Sequence, residues 1–326
     1  MNVLVTGAAG YIGSVIVAEL IRCNHTVIAL DNLSLGHKKA VNPQATFVHT
    51  DLSEYGQVNN IFSKHSIDAV IHLAGHSLVG ESMRDPGKFF RANTLNGLNL
   101  LEAMRHNGVK KFVFSSTAAV YGEPKEIPLT ETSDCTPINP YGASKLQFEQ
   151  ILPWYLTTYG TEYMILRYFN AAGATDTLGE DHPIESHLIP LILETALGFR
   201  PKLEIFGSDY DTKDGSCIRD YVHVSDLATA HVKALNLIEQ PQNRVYNLGI
   251  GHGYSNIEVI AAARNITGLN IESISSPRRP GDPPILIANA DRAFKELDWT
   301  PRFRDIESIV ESAWQWKAKY PNGYVD

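Results

Sequence analysis

Six short apolar runs most constrain the fold of this chain. They are NVLVTG (2–7), HTVIAL (25–30), ATFVHT (45–50), DAVIHLAG (68–75), KKFVFSS (110–116) and EYMILRYFN (162–170). Each is rich in Val, Ile or Phe and is bounded by Gly, Asn, Asp or Ser, which is the pattern of a buried strand. Segments of helical period lie between them, near residues 11–22, 54–64, 89–106 and 142–159. Strand alternating with helix predicts an α/β fold, a Rossmann-type doubly wound parallel sheet. Beyond about residue 175 the pattern loosens into Pro- and Gly-containing stretches such as GEDHPIESHLIP, GSDYDTKDG and SSPRRPGDPP, which predict a smaller C-terminal α/β lobe. The helix-like VHVSDLATAHVKALNLI followed by RVYNLG predicts a return to the first sheet. The expected division is therefore residues 1–175 as a nucleotide-binding domain, with a return segment near 218–248, and residues 176–326 as the smaller substrate lobe.

The formal charge of −8 across 326 residues, with basic runs no longer than pairs such as Lys38-Lys39 and Arg278-Arg279, argues against a broad nucleic-acid face. An anionic ligand has to be held locally. Three cysteines, Cys23, Cys135 and Cys217, make no CxxC spacing, and their odd number suits a reducing compartment, so a cytoplasmic location is expected. No basic leader precedes the first apolar run, and no stretch approaches the roughly 20 apolar residues of a membrane span. His72 and His76 lie four apart, but the intervening sequence reads as a strand running into a loop and no HExxH motif accompanies them, so no metal is expected.

The first strand ends in TGAAGYIG, which places Gly7, Gly10 and Gly13 at the turn into a helix. Small residues there let the backbone approach a pyrophosphate, and the helix N-terminus offers unpaired N–H groups. The second strand runs into Asp31, whose carboxylate can accept both hydroxyls of an adenosine ribose and would repel a 2′-phosphate. That favours NAD over NADP. Further on, YGASK puts Tyr141 and Lys145 on one helix face, a phenol beside an ammonium. A neighbouring cation and a positively charged nicotinamide both favour the phenolate, so the pair can serve as a proton acceptor. It follows FSSTAAVYG, whose hydroxyls Ser115, Ser116 and Thr117 are expected at the carboxyl edge of the sheet, where ligands of such folds bind.

Taken together, VTGAAGYIGS, DNLSLG, HLAG, VGES, FSSTAAVYGEP, NPYGASK, LRYFNAAGA, HLIP, IFGSDYDTKDGSCIRDYVHVSDLA and RRPGDPP resemble the extended short-chain dehydrogenase/reductase family and, within it, the UDP-galactose (UDP-glucose) 4-epimerases. The likeness runs nearly the full length. It implies an NAD-dependent isomerase that interconverts UDP-galactose and UDP-glucose through a 4-keto intermediate with tightly bound NAD. Tyr141 would be the catalytic base, Lys145 its electrostatic partner and ribose anchor, and Thr117 the hydroxyl near the sugar O4. By the same resemblance Gly7, Gly10, Tyr11, Ile12, Gly13, Asp31, Asn32, Asp51, Leu52, Leu73, Ala74, Gly75, Ser77, Asn93, Ser115, Tyr141, Lys145 and Tyr168 would hold the cofactor. Asn170, His187, Leu188, Phe206, Arg219, Arg279, Asp282 and Leu286 would join Thr117 and Tyr141 around the UDP-sugar. Many relatives have Ser in place of Thr117, a relative aligned here has Lys in place of Ser77, and some relatives have Asn in place of His187. Leu286 leaves a sugar pocket intermediate in width, which implies slow turnover of UDP-N-acetylhexosamines. The resemblance also implies a homodimer built from the helices around NTLNGLNLLEAMRHN and SKLQFEQILPWYLTTY. Dehydratases and decarboxylases of the superfamily carry acids directly after the threonine, where this chain has Ala118 and Ala119. Such an enzyme, or a non-catalytic NAD-binding sensor, is the alternative reading.

Overall fold

The structure, a computed structural model, describes residues 1–325. In chain order it runs β1 (Asn2–Thr6), α1 (Tyr11–Arg22), β2 (Thr26–Asp31), β3 (Thr46–His49), α2 (Tyr55–Lys64), β4 (Ala69–His72), α3 (Val79–Ser82), α4 (Pro86–Phe90), α5 (Asn96–His106), β5 (Lys111–Thr117), α6 (Pro140–Tyr159) and β6 (Glu162–Tyr168). It continues through β7 (Asn170–Ala172), α7 (Leu188–Ala196), β8 (Leu203–Phe206), β9 (Ile218–His223), α8 (Val224–Leu237), β10 (Val245–Leu248), β11 (Gly253–Ser255), α9 (Asn256–Thr267), β12 (Ser273–Ser276), β13 (Ile285–Leu286), α10 (Asp291–Glu296) and α11 (Ile306–Lys319).

Seven strands make one parallel sheet in the order β10-β6-β5-β4-β1-β2-β3. Its central strands are buried on both faces, as their unbroken apolar runs require. On one face α1 and α8 pack through Val15, Ile16, Leu20, Leu227, Ala230 and Leu235. On the other α2, α5 and α6 pack through Val58, Phe62, Leu100, Met104, Phe148 and Leu152. Each such side chain contributes about 1.5–3 kcal/mol when fully buried. Strand order reverses between β1 and β4, and a crevice opens there at the carboxyl ends of the strands.

The predicted strands and helices are present, with two differences. The single helix expected over 89–106 is three pieces, α4, one π turn at Arg91–Leu95, and α5. Within that turn the side chains of Asn93 and Thr94 bond outward, to His76 and to Ser144, rather than leaving a regular helical face. In the expected return segment, β10 does extend the main sheet beside β6, but β9 belongs to a smaller sheet. There it lies between β11 and β13 through residues 218–220 and pairs with β7 through residues 221–223. A parallel pair, β8 and β12, stands beside it. A second core gathers Ile189, Ile192, Val259, Ile260, Ile309 and Val310 from α7, α9 and α11.

Two histidines are built into the main core without charge. His72 Nδ1 lies 2.7 Å from Thr6 Oγ1, and His231 bonds Ser115 Oγ at 2.8 Å and Leu227 O at 2.8 Å. Burial pulls them down from 6.5, to about 3 for His72 and about 4 for His231. Since the folded values lie below the unfolded one, their stability contribution is complete above pH 6.5 and is lost as pH falls toward 4. At pH 5 each ring is expected to have cost about 2 kcal/mol of folding free energy. Urea denaturation at pH 7 and pH 5 measures this, and equal midpoints at the two pH values would mean that the rings are not held neutral.

Candidate active site

One cleft of about 580 Å³ runs from the carboxyl edge of the main sheet to the smaller sheet. At its sheet end the β1–α1 turn is shaped by absent side chains. Gly7 holds φ +70°, and a Cβ on it would meet Ala74 N at 2.7 Å. A Cβ on Gly13 would sit 2.0 Å from the Gly7 carbonyl oxygen, and one on Gly36 2.7 Å from the Ala9 backbone. The missing β-carbons thus let backbone pack on backbone in a tight turn that lines the cleft ahead of the N-terminus of α1, and this suits a dinucleotide pyrophosphate. Asp31, at the end of β2, accepts the N–H of Ala9 at 2.9 Å and of Leu33 at 2.8 Å. Burial raises its carboxyl above the usual range and these two bonds partly offset the rise. Burial also acts to raise Asp51, but the bonds from Ser53 and from Asn32 (2.6 Å) prevail and hold it below the usual range.

Tyr141 and Lys145 are positioned by how α6 begins. Asn139 caps the helix, its Oδ1 accepting the Gly142 N–H at 2.8 Å, and Pro140 opens the first turn. Gly142 is pressed so close to the 118–121 turn that a Cβ would lie 2.4 Å from Ala119 O. This contact sets Tyr141 beside Thr117, whose hydroxyl acts on the phenol. The Asn139 amide also donates to Gly281 O at 3.2 Å, which ties α6 to the loop that carries Asp282.

The electrostatics of the pair differ from the expectation. Burial raises the Tyr141 phenol, and only the Thr117 hydroxyl opposes it. Burial also brings Lys145 down to about 8, against the charge of Glu149. The ammonium is spoken for, donating to Ser115 O at 3.0 Å and lying 4.9 Å from the Phe114 ring centroid. It stays charged at neutral pH, yet it does not by itself bring the phenol down. A phenolate at neutral pH needs a further positive charge bound in the cleft.

Among the residues named from sequence, Gly7, Gly10, Tyr11, Ile12, Gly13, Asp31, Asn32, Asp51, Leu52, Leu73, Ala74, Gly75, Ser77, Thr117, Tyr141, Lys145 and Tyr168 line the cleft. So do Asn170, His187, Leu188, Phe206, Arg219, Arg279, Asp282 and Leu286. Two others do not reach it. Asn93 is buried behind the wall, accepting the His76 N–H at 2.8 Å and donating to His76 O at 3.0 Å and to Ser144 Oγ at 2.9 Å. Ser115 is turned into the core, its Oγ spent on His231 and its carbonyl on Lys145. Ser116 is likewise turned inward, onto Glu149, so of the three hydroxyls only Thr117 faces the cleft. Tyr168 is partly buried, and withdrawal of its phenol from water raises it well above the ordinary range.

At the far end, β9 brings Arg219 against β13, where its guanidinium donates to Ile218 O at 2.9 Å and lies 3.7 Å from Asp282 Oδ1 rather than pairing with Asp220. Asp220 instead accepts the N–H groups of Ile250, Gly251 and Ala288. The adjacent arginines part ways. Arg278 lies over Tyr210 and pairs with Asp209 at 2.7 Å, whereas Arg279 lies over Phe206, 4.4 Å from its centroid, and lines the cleft. Two guanidiniums at one end of a cleft can grip a pyrophosphate through planar forks of donors. Leu286 packs with Phe169, Tyr121 and Ala288 and also borders the cleft, so it is both core and wall. Burial acts to lower His187, but Glu180 and then Glu185 outweigh it and hold the ring well above its usual value. Sequence reasoning passed over Asn139, although Asn-Pro ahead of a helical run is a capping signal. It also passed over Glu180 and His182, which a loop folds into the lining and which no spacing announces.

A profile of the NAD dependent epimerase/dehydratase family matches residues 3–249. A UDP-glucose 4-epimerase of Lacticaseibacillus casei is 48% identical over 329 residues, which cover 100% of this chain and 99% of that protein. One from Streptococcus mutans serotype c is 49% identical over 331 residues, with 100% and 99% covered. Among solved structures, the UDP-glucose 4-epimerase from Bifidobacterium longum in complex with NAD+ and UDP superposes with a TM-score of 0.96 at 39% identity, covering 99% of this chain and 100% of that one. The enzyme from Thermotoga maritima with UDP-glucose gives a TM-score of 0.90 at 34% identity, with 99% and 100% covered.

Proposed function

Because this chain belongs to the NAD dependent epimerase/dehydratase family, we propose that it is a UDP-glucose 4-epimerase that interconverts UDP-galactose and UDP-glucose. The observation that carries this reading is a single cleft joining the glycine turn, Tyr141 with Thr117, and the two arginines Arg219 and Arg279. It therefore offers a dinucleotide seat, a proton acceptor and a pyrophosphate grip in one space. The turn of Gly7, Gly10 and Gly13 with Tyr11 and Ile12, the carboxylates of Asp31 and Asp51, the wall from Leu73 to Gly75 with Ser77, and Tyr168 would hold NAD. Bound there, NAD would supply hydride-accepting and hydride-returning chemistry at the sugar C4.

The protein supplies the proton chemistry and the geometry. Tyr141 Oη takes the proton of the 4-hydroxyl and later gives it back, and Thr117 orients both oxygens. Lys145 keeps a positive charge within the wall, fixed by the Ser115 carbonyl, and Asn93 and Ser115 act as positioning residues. Asn170, Leu188, Phe206, Arg219, Arg279 and Asp282 hold the UDP while the 4-keto sugar turns over between its two faces. The dehydratase reading lacks an acid at the cleft positions after Thr117, where Ala118 and Ala119 stand. Incubation with UDP-galactose and separation of the products tests the proposal. UDP-glucose at equilibrium is the expected product, whereas a dehydrated or decarboxylated sugar, or no conversion, would overturn it.

The same reading assigns residues 1–175, with α8 and β10, to NAD and the remainder of 176–326 to the UDP-sugar. The three free thiols suit a cytoplasmic enzyme. Exposed Leu95 beside α5 and Trp154, 72% exposed on α6, favour a homodimer through these helices. Trp154→Glu is expected to shift the protein toward monomer in light scattering.

Leu286 sets the sugar range. UDP-galactose and UDP-glucose are expected to be preferred and the N-acetylated pair to turn over slowly. Leu286→Tyr should selectively reduce the N-acetylated kcat/KM by about 10–200-fold, the worth of one or two methylene-sized groups in a pocket. An unchanged preference in a folded variant would remove Leu286 from the site.

A further inference from the structure

The loop between β7 and α7 folds Glu180, His182, Glu185 and His187 together, so that one donor atom from each lies within 4.8 Å of the others. We propose that these four side chains form a site for one divalent cation of the zinc class, held by two imidazole nitrogens and two carboxylate oxygens. This goes beyond the epimerase reading and does not depend on it.

The geometry carries the proposal. Four ligands around such a cation at about 2.0–2.1 Å stand about 3.3–3.4 Å from one another. His182 Nδ1 is 3.4 Å from Glu180 Oε1 and 3.2 Å from Glu185 Oε2, and His187 Nδ1 is 3.4 Å from Glu185 Oε1. These separations have the required length, but the two to Glu185 involve its different oxygens, so a tetrahedron built on either oxygen has two of its four nitrogen–oxygen edges in place. Another edge, His187 Nδ1 to Glu180 Oε1, is 2.6 Å. It has to open by about 0.7 Å, within the swing of a glutamate side chain.

Two further observations point the same way. His187 Nδ1 is buried from solvent and makes no hydrogen bond of normal geometry, although a carboxylate oxygen is so near. Glu185 Oε1 is fixed in advance by the N–H groups of Ser186 at 2.7 Å and His187 at 2.8 Å, the kind of support that orients a metal-binding carboxylate. Charge is compatible with a cation. The side chains of Glu180 and Glu185 are 8% and 5% exposed, and two carboxylates withdrawn from water need compensation. Two imidazoliums supply it without a metal, and one doubly charged ion with two neutral imidazoles supplies it equally. Mixed nitrogen and oxygen donors suit zinc, cobalt or nickel, whereas magnesium and calcium favour oxygen alone.

All four ligands come from residues 180–187, and the chain passes directly from His187 into Leu188, the first residue of α7. A bound ion would close a short chelate and fix the segment that presents His187 and Leu188 to the cleft.

The test uses the full chain, stripped with a chelator and then dialysed against Zn²⁺ or Co²⁺. One ion per chain is expected, with a rise in Tm and, for Co²⁺, the intense visible absorption of a four-coordinate site. His182→Ala combined with Glu185→Gln should weaken binding at least 100-fold. Should that variant fail to fold, anomalous diffraction from zinc-soaked crystals of the unaltered protein should place the ion among the four side chains. No stoichiometric binding, binding undiminished in the folded variant, or an ion elsewhere would overturn the proposal and leave the four as an ion-paired cluster of imidazolium and carboxylate.

Discussion

Tyr141→Phe is expected to lower kcat by about 10²–10⁴-fold while leaving UDP affinity and fold nearly unchanged. That loss corresponds to about 3–5 kcal/mol of transition-state stabilisation. The substitution removes one oxygen and keeps the ring, which packs edge-on to Phe89 with centroids 6.4 Å apart. Arg219 and Arg279, at the nucleotide end, do not sense it. What disappears is the phenol beside Thr117 that is proposed to take a proton from a sugar hydroxyl and return it. Progress curves with UDP-galactose, alongside UDP titration followed by calorimetry, separate the two effects. A folded variant with near-normal kcat would make Tyr141 structural and overturn the mechanism.

Gly13→Ala is expected to yield a folded protein largely without NAD, whereas the unaltered protein should carry the dinucleotide through purification. The added Cβ would stand 2.0 Å from Gly7 O and 2.8 Å from Gly7 C, backbone atoms that cannot rotate away. The turn has to deform, at about 1–3 kcal/mol for overpacking of this kind, and the deformation falls on the surface that receives the pyrophosphate. Retention matters because the electron pair taken from C4 must return to the same sugar. Release of the dinucleotide by denaturation and its enzymatic assay measure occupancy. Full occupancy in Gly13→Ala would show that the pyrophosphate seat lies elsewhere.

The main sheet was legible because its strands are buried on both faces and so write themselves as continuous apolar runs, and because the helices between them have their own period. Local chemistry was legible for the same reason. A glycine turn, an acid at the end of the second strand, and a phenol and an ammonium one helical turn apart are properties of neighbouring residues. The return of RVYNLG to the sheet could be read from its own apolar pattern, and β10 does lie beside β6. Where several elements share one wall, the legibility stopped. Nothing in SST says that two of its three hydroxyls turn toward His231 and Glu149, since those partners stand 116 and 33 residues away. The sequence placed Asn93 against a ligand, and the structure spends its amide on the His76 backbone instead.

By itself, then, the sequence determined the order of layers, the candidates for the reacting groups and the family to which the chain belongs, because periodicity, turn chemistry and motif spacing act over a few residues. Only the tertiary structure decided which groups face the cleft and in what electrical state. The ammonium of Lys145 is committed to Ser115 and Phe114, Arg279 faces inward while Arg278 faces Asp209, and Glu180 and Glu185 close on His182 and His187. The physical reason is the same in each case. Burial, which lowers an ammonium and raises a phenol, and the pairing that offsets burial depend on what lies within a few ångströms, and those neighbours come from strands and loops far apart in the chain.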